Sequence, residues 1–257
     1  MRIRFLGTHQ GESKQARFVS LLIDDAIAID AGGLAGGLSF GEQRALQAVL
    51  ITHYHLDHIK DLPVVGFNRL NVGAPTLPVY ATSEVQDALL KYVMNGVTWL
   101  DLTQRPTPES PALRFVTVRD GHPFVVGEYR ITPIASRHPV PTVGYQISSP
   151  QGRNVYYTSD TGPDGDAWDR VNPDLLITEV TLSNDLEEVA IRVGHLTASL
   201  LHAELVRFRT LHGYLPRVRV IHVNPFQEEG IREEVAIVGQ ELGADIIVVA
   251  EGDEIEV

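Results

Sequence analysis

Four metal-capable side chains fall within six residues in the run Thr52-His53-Tyr54-His55-Leu56-Asp57-His58. Imidazole and carboxylate are natural ligands for zinc and its first-row neighbours. The run follows the apolar stretch Ala48-Val49-Leu50-Ile51, which reads as a buried strand. In an extended segment His53 and His55 point to one side. A turn or new helix then swings Asp57 and His58 toward a second point, so one segment can serve two adjacent metal ions.

Three further candidates share this context. His138 follows an apolar strand in Ser136-Arg137-His138-Pro139, Asp160 closes another in Thr158-Ser159-Asp160-Thr161-Gly162, and His222 ends a third in Val220-Ile221-His222-Val223-Asn224-Pro225. Polar residues at strand ends, followed by Gly or Pro turns, are how open sheets build sites along one edge. With the opening run they make seven potential ligands. That number suits two metals sharing a bridging carboxylate, with positions left for water.

The elements that must hold them are mostly strands. Apolar or alternating runs predict strands at Arg2–Leu6, Arg17–Ile23, Ala26–Ile29, Val49–Thr52, Pro78–Ala81, Arg114–Val118, Tyr129–Ala135, Val143–Ser148, Asn154–Thr158, Leu175–Val180, Val218–Val223 and Ile246–Ala250. Helical patterns run over Asn184–Val193, Thr197–Leu211 and Gln227–Leu242. The last carries Ile231, Val235, Val238 and Leu242 on one stripe before a Gly243 stop. Another helix is expected behind a capping box at Ser83-Glu84-Val85-Gln86. Two mixed sheets with helices outside fit this count better than one doubly wound sheet. The Pro-rich stretch Arg105–Pro111 is the expected seam between halves, and no internal sequence repeat is found.

Composition narrows the function. The 257 residues are 44% hydrophobic, enough for one large domain over 1–257 or two intimate half-domains. There is no cysteine, so disulfides and zinc–thiolate sites are excluded and any metal must use His, Asp, Glu and water. Net charge is −12, which disfavours a large nucleic-acid partner but permits a small anionic substrate beside bound dications. No signal-type or membrane-spanning apolar run occurs, and a soluble cytoplasmic protein is expected.

The order and spacing of these residues resemble the metallo-β-lactamase superfamily, whose signature is the run His53-Tyr54-His55-Leu56-Asp57-His58. The resemblance implies an αββα sandwich of two mixed β-sheets with helices on the outer faces. It implies that His53, His55 and His138 hold one metal, that Asp57, His58 and His222 hold the second, and that Asp160 bridges. Two divalent ions are thus expected; zinc comes first, while manganese and iron accept the same ligands. Superfamily members are often dimers, so a homodimer is among the expected assemblies.

Glu179, in Thr178-Glu179-Val180-Thr181, and His195, in Gly194-His195-Leu196-Thr197, resemble the phosphodiesterase branch of that superfamily. The branch includes transfer-RNA 3′-processing endonucleases and class II cyclic-nucleotide phosphodiesterases. By resemblance, Glu179 orients His195, which protonates the leaving oxygen. The endonucleases' grasping arm lies between the third His and the bridging Asp. Here residues 138 and 160 are 22 apart, filled by two strands and a turn, so no arm fits. The cyclic-nucleotide enzymes are more similar, through Asp160-Thr161-Gly162-Pro163 with Trp168 and through Pro225 after His222. Two departures stand out: Asp61 where Gly or Ser is common, and Thr178–Asn184 in place of a Ser-Phe-Pro element.

The expected reaction is hydrolysis of a 3′,5′-cyclic nucleotide or similar small phosphodiester by hydroxide shared between two metals. Such a water has its pKa lowered toward about 7. Asp57 would aim the hydroxide and His195 would act as acid. Three rivals remain: a transfer-RNA 3′-endonuclease, a metal-dependent ester, thioester or lactone hydrolase, and a non-catalytic sensor on the same scaffold. His9, His122, His202 and His212 read as structural or surface residues, and Arg207, Arg209, Arg217 and Arg219 as a solvated face.

Overall fold

The computed structural model describes residues 1–163 and 165–257. Contacts group the chain into two compact units. The first comprises Met1–Gly7, Arg17–Arg119 and Glu251–Glu256, and the second Thr8–Ala16, Asp120–Ala250 and Val257. Each contains one seven-stranded mixed sheet.

In the first unit the strands are β1 (Arg2–Gly7), β2 (Ser20–Ile23), β3 (Ile27–Ile29), β4 (Ala48–Leu50), β5 (Leu77–Ala81) and β6 (Leu113–Thr117). They lie side by side in chain order, and the C-terminal strand Glu254–Glu256 pairs with β1. The pairs β1–β2 and β2–β3 are antiparallel, the second joined by a short turn and the first by the longer segment 8–19. From β3 onward every pair is parallel, because helices intervene and make the crossovers such pairing requires. These are α1 (Leu34–Gly37) and α2 (Phe40–Ala45) before β4, then α3 (Leu56–Ile59) and α4 (Leu62–Asn71) before β5. Next comes α5 (Ser83–Ala88), extended by a π-helical turn over Leu89–Val93. The central strands β2, β3 and β4 are buried throughout, which is why they read as unbroken apolar runs. Leu22, Ala28, Val49, Leu62, Val65, Val79 and Leu113 belong to one core.

The second unit repeats this plan. Strands β7 (Phe124–Val126), β8 (Tyr129–Ala135), β9 (Val143–Ser148) and β10 (Asn154–Tyr157) pair antiparallel. Strands β10, β11 (Leu175–Glu179), β12 (Arg217–Ile221) and β13 (Ile246–Val248) pair parallel. The crossovers use α6 (Glu187–Val193), α7 (Ala198–His212) and α8 (Glu228–Leu242). Thr197 caps α7 by accepting from Leu200 N. The expected stripe Ile231, Val235, Val238, Leu242 is buried, and Gly243 ends α8 in a left-handed conformation.

The expected two mixed sheets with helices are therefore present, and the two-fold repetition is one of topology alone. Three details differ from the sequence reading. The Pro-rich stretch Arg105–Pro111 is not a seam. It folds back on itself within the first unit, with Ala112 N bonded to Arg105 O at 2.6 Å, and the chain changes unit at Arg119/Asp120. Ser83 is not a cap: Thr82 holds the N-cap position of α5 without a side-chain bond, while a true capping box forms at Ser39 and Glu42 of α2. Strand β7 and helix α4 carried too weak a periodicity to be read. Among the described residues, no helix is long and apolar enough to cross a membrane.

Candidate functional site

Each sheet places its chemistry beyond the carboxyl ends of strands that run in one direction, the edge where parallel sheets bind ligands. In the first unit Asp30 follows β3, and Thr52 to His58 follow β4. His53 stays buried, and its ring centroid lies 4.6 Å from that of His55 and 4.1 Å from that of His58. The expected swing is made by α3, which starts at Leu56 and carries Asp57 and His58. His58 Nε2 then sits 3.7 Å from Asp57 Oδ2. The four residues of the opening run are thus brought together.

Asp30, which sequence reasoning missed, organises them. Its carboxylate is fully buried and accepts from Thr52 N at 2.9 Å and from Thr52 Oγ1 at 3.0 Å. His58 Nδ1 donates to it at 2.8 Å. Since the Thr52 hydroxyl donates to Asp30, it accepts from His53 Nδ1, 3.1 Å away. Gly32 permits the close approach: a Cβ there would lie 1.9 Å from Asp57 O. Asp61 closes the same corner by accepting from Ala35 N at 2.8 Å, and burial pushes its carboxyl above the usual range.

In the second unit His138 follows β8, Asp160 follows β10, Glu179 ends β11 and His222 follows β12. Ser159 and His222 have left-handed backbones (φ 59° and 57°), which turn the chain sharply at the strand ends. His222 Nε2 is 3.5 Å from Asp160 Oδ2. The His195 ring lies 5.2 Å from that of His138 and is stacked 5.4 Å from that of His222. All five expected residues of this unit therefore converge.

Glu179 plays the part here that Asp30 plays in the first unit. It is buried and accepts from His195 Nδ1 and Thr161 N, both at 2.8 Å, and from the Thr181 hydroxyl. Thr181 Oγ1 in turn accepts from His222 Nδ1 at 2.7 Å. In both units one carboxylate holds one imidazole directly and a second through a threonine. His138 Nδ1 donates to Gly194 O at 3.0 Å, and burial lowers the pKa of His138, favouring the neutral ring a metal needs.

Four of the expected ligands (His53, His58, His138 and His222) thus commit Nδ1 to a protein acceptor, the arrangement that fixes the tautomer for metal binding through Nε2, and Glu179 fixes the His195 ring in the same way. Those four imidazoles together with His55, Asp57 and Asp160 make a donor set that fits hard-to-borderline divalent ions. The missed threonines had no local signature, whereas Asp30 did: like Asp160, it is a carboxylate ending an apolar strand.

Gly194 bears on the same geometry. It ends α6 at φ 77°, and a Cβ would lie 2.5 Å from Pro139 Cδ and 3.2 Å from His138 Nδ1. Gly194→Ala is expected to cost roughly 2 kcal/mol or more of stability and to weaken metal retention by displacing His138. Denaturant unfolding and metal titration of the variant check this, and unchanged affinity would mean that the Gly194 carbonyl does not position His138.

The structural reading of His9 agrees with its contacts, whereas the solvated-face reading fails for Arg219, which is buried in β12 and pairs with an acid. His9 Nε2 meets Glu228 at 3.1 Å, Arg219 pairs with Asp245 at 3.0 Å, and Arg207 pairs with Asp169.

Residues 34–222 match the family described as "Beta-lactamase superfamily domain". An uncharacterized protein of Mycobacterium leprae is 30% identical over 139 residues, covering 51% of this chain and 45% of that one. The probable metallo-hydrolase YhfI of Bacillus subtilis is 25% identical over 182 residues, 68% of each chain. Ribonuclease Z of Bradyrhizobium is 29% identical over 149 residues, 57% of this chain and 46% of that one. The match spans less than half the length of the first two curated relatives. Among solved structures, metallo-β-lactamase fold protein YhfI superposes with TM-score 0.79 at 22% identity, and unliganded yeast PDE1 with 0.81 at 17%. Both cover 100% of this chain and 99% of the other, which shows a shared fold.

Proposed function

Because the chain belongs to the β-lactamase superfamily, whose members include metal-dependent hydrolases, we propose that it hydrolyses small phosphodiesters, 3′,5′-cyclic nucleotides foremost, with two divalent metal ions. In this reading His53, His55 and His138 hold one ion, Asp57, His58 and His222 the other, and Asp160 bridges. The ions supply Lewis acidity and make water nucleophilic near neutral pH. Zinc is the first expectation, with manganese and iron as alternatives.

The observation that carries the reading is the pair formed by buried Glu179 and partly buried His195. His195 Nδ1 is tied to Glu179 at 2.8 Å, and its ring stacks on His222, a proposed ligand. A held imidazole beside a ligand is placed to pass a proton to a departing alkoxide. A thioester hydrolase, whose thiolate departs without a proton, has less need of it. Asp57, partly exposed beside His58, is placed to orient the attacking water.

A transfer-RNA 3′-endonuclease is the second reading, favoured by the ribonuclease Z relative. Against it stand the net charge of −12 and the interval from His138 to Asp160, which β9 and β10 occupy without an inserted arm. Metal-loaded protein is expected to hydrolyse cyclic nucleotides and an aryl phosphodiester at least about 100-fold faster than an aryl carboxylic ester, and to leave precursor transfer RNA uncut. Preferred ester hydrolysis, or precise cleavage of the precursor, would replace the phosphodiesterase reading.

A further inference from the structure

The helix after β5 is two-faced. Val85, Leu89 and Met94 are buried, while Glu84, Asp87 and Lys91 recur at helical spacing on the outer side. With Tyr92 these outer residues form one wall of a recess of about 460 Å³, and Tyr54 and Ile59 form the other. Pockets for small molecules run from roughly 300 to 1,000 Å³.

The recess adjoins the opening motif through the chain itself. Tyr54 stands between His53 and His55, its ring edge-on to that of His55 at 6.2 Å, and Ile59 directly follows His58. The wall is also unusual in its backbone. The turn Leu89–Val93 is π-helical, a geometry that is rare and concentrated at functional sites. It leaves Leu89 in the core and Tyr92 62% exposed, with Lys91 Nζ 5.0 Å above the Tyr92 ring.

The chemistry of the walls selects the ligand. Two tyrosines and Ile59 suit a flat aromatic ring. Glu84 and Asp87, one turn apart on the rim, repel a phosphate and accept hydrogen bonds from N–H groups. The part of a nucleotide with that description is a base bearing an exocyclic amine. We propose that this recess is the subsite for the nucleobase of the substrate, which stacks on Tyr92 and donates its amine to Asp87 or Glu84. The assignment rests on the phosphodiesterase reading and names the half of the substrate that the metal ligands leave open.

Calorimetric titration of the metal-loaded full chain with nucleosides tests it, since these lack phosphate. Adenosine, guanosine and cytidine are expected to bind saturably, about threefold or more tighter than uridine, which has no exocyclic amine. Tyr92→Ala weakens all four by about tenfold, and Tyr92→Phe restores most of the loss. The double variant Glu84→Ala/Asp87→Ala removes the preference for amino bases. Absence of saturable binding, or affinities unmoved by both Tyr92→Ala and the Glu84→Ala/Asp87→Ala double variant, overturns the subsite. The two readings fail separately. Phosphodiester hydrolysis without nucleoside binding sinks the subsite alone. Nucleoside binding that the variants lose, with no phosphodiester hydrolysis, sinks the phosphodiesterase reading alone.

Discussion

His195→Ala retains the metal content of the wild type and loses about 10² to 10⁴ in kcat/KM on a cyclic nucleotide, the range expected for removal of a general acid. The same variant loses only about tenfold or less on an aryl phosphodiester, whose leaving group departs without a proton. The contrast matters because the geometry offers a rival role. Glu179, His195 and His222 each present a ligand atom within 4.8 Å of the others, so the three alone could be taken for a metal site. The hydrogen bonds argue otherwise. Glu179 already accepts from His195, Thr161, Thr181 and Leu196, which uses its oxygens on the protein. His195 Nδ1 is one of those donors, so Glu179 serves this ring as a hydrogen-bond acceptor, whereas the Nε2 of His222 lies 3.5 Å from Asp160 Oδ2, beside the other expected ligands. Elemental analysis with kinetics on both substrates decides between the roles. Loss of metal in His195→Ala, or an equal loss of rate on both esters, would assign His195 to the metal instead.

The residues that were legible in the sequence share one property: their evidence is local. His53 to His58, His138, Asp160 and His222 each end an apolar strand, and that contrast is visible within a few residues. The strands themselves were legible because full burial demands unbroken apolar runs. The supports were not. Thr52 is adjacent to a ligand and Thr181 is near one in sequence only through Glu179, yet the value of each lies in a partner 22 or 41 residues away. A threonine at a strand end has many bland uses, and its type does not name the imidazole it will hold. The recess beside Tyr54 was hidden for a similar reason, since its walls come from residues 54–59 and 84–93 and its π-helical turn has no compositional mark. The misread seam at Arg105–Pro111 has the opposite cause. Three prolines within seven residues suggested a break, but nothing local reveals that the excursion returns to its own start.

Asp30→Asn weakens binding of the metal assigned to His58 by about 10- to 100-fold, the usual cost of losing the partner that orients a ligating imidazole. Asparagine is the informative replacement. Asp30 has φ 57°, a left-handed backbone that Asn adopts more readily than most residues, so the turn after β3 is kept. What changes is the count of acceptors. The carboxylate serves Thr52 N, Thr52 Oγ1 and His58 Nδ1, whereas an amide offers one oxygen and adds an NH₂ group among those donors. At least one buried donor then loses its acceptor, at about 1–3 kcal/mol. Asp30→Ala removes every acceptor and the left-handed preference together, so it is expected to cost about 3–5 kcal/mol even without metal. The two variants separate folding from metal orientation. Unfolding in the presence of chelator reads the first, and metal stoichiometry at limiting metal reads the second. On the two-metal proposal, the stoichiometry of Asp30→Asn falls from two ions toward one while the chain remains folded. Retention of two ions at wild-type affinity would show that His58 is oriented by α3 alone, and that the shared device of one carboxylate holding two imidazoles is structural rather than a support for metal.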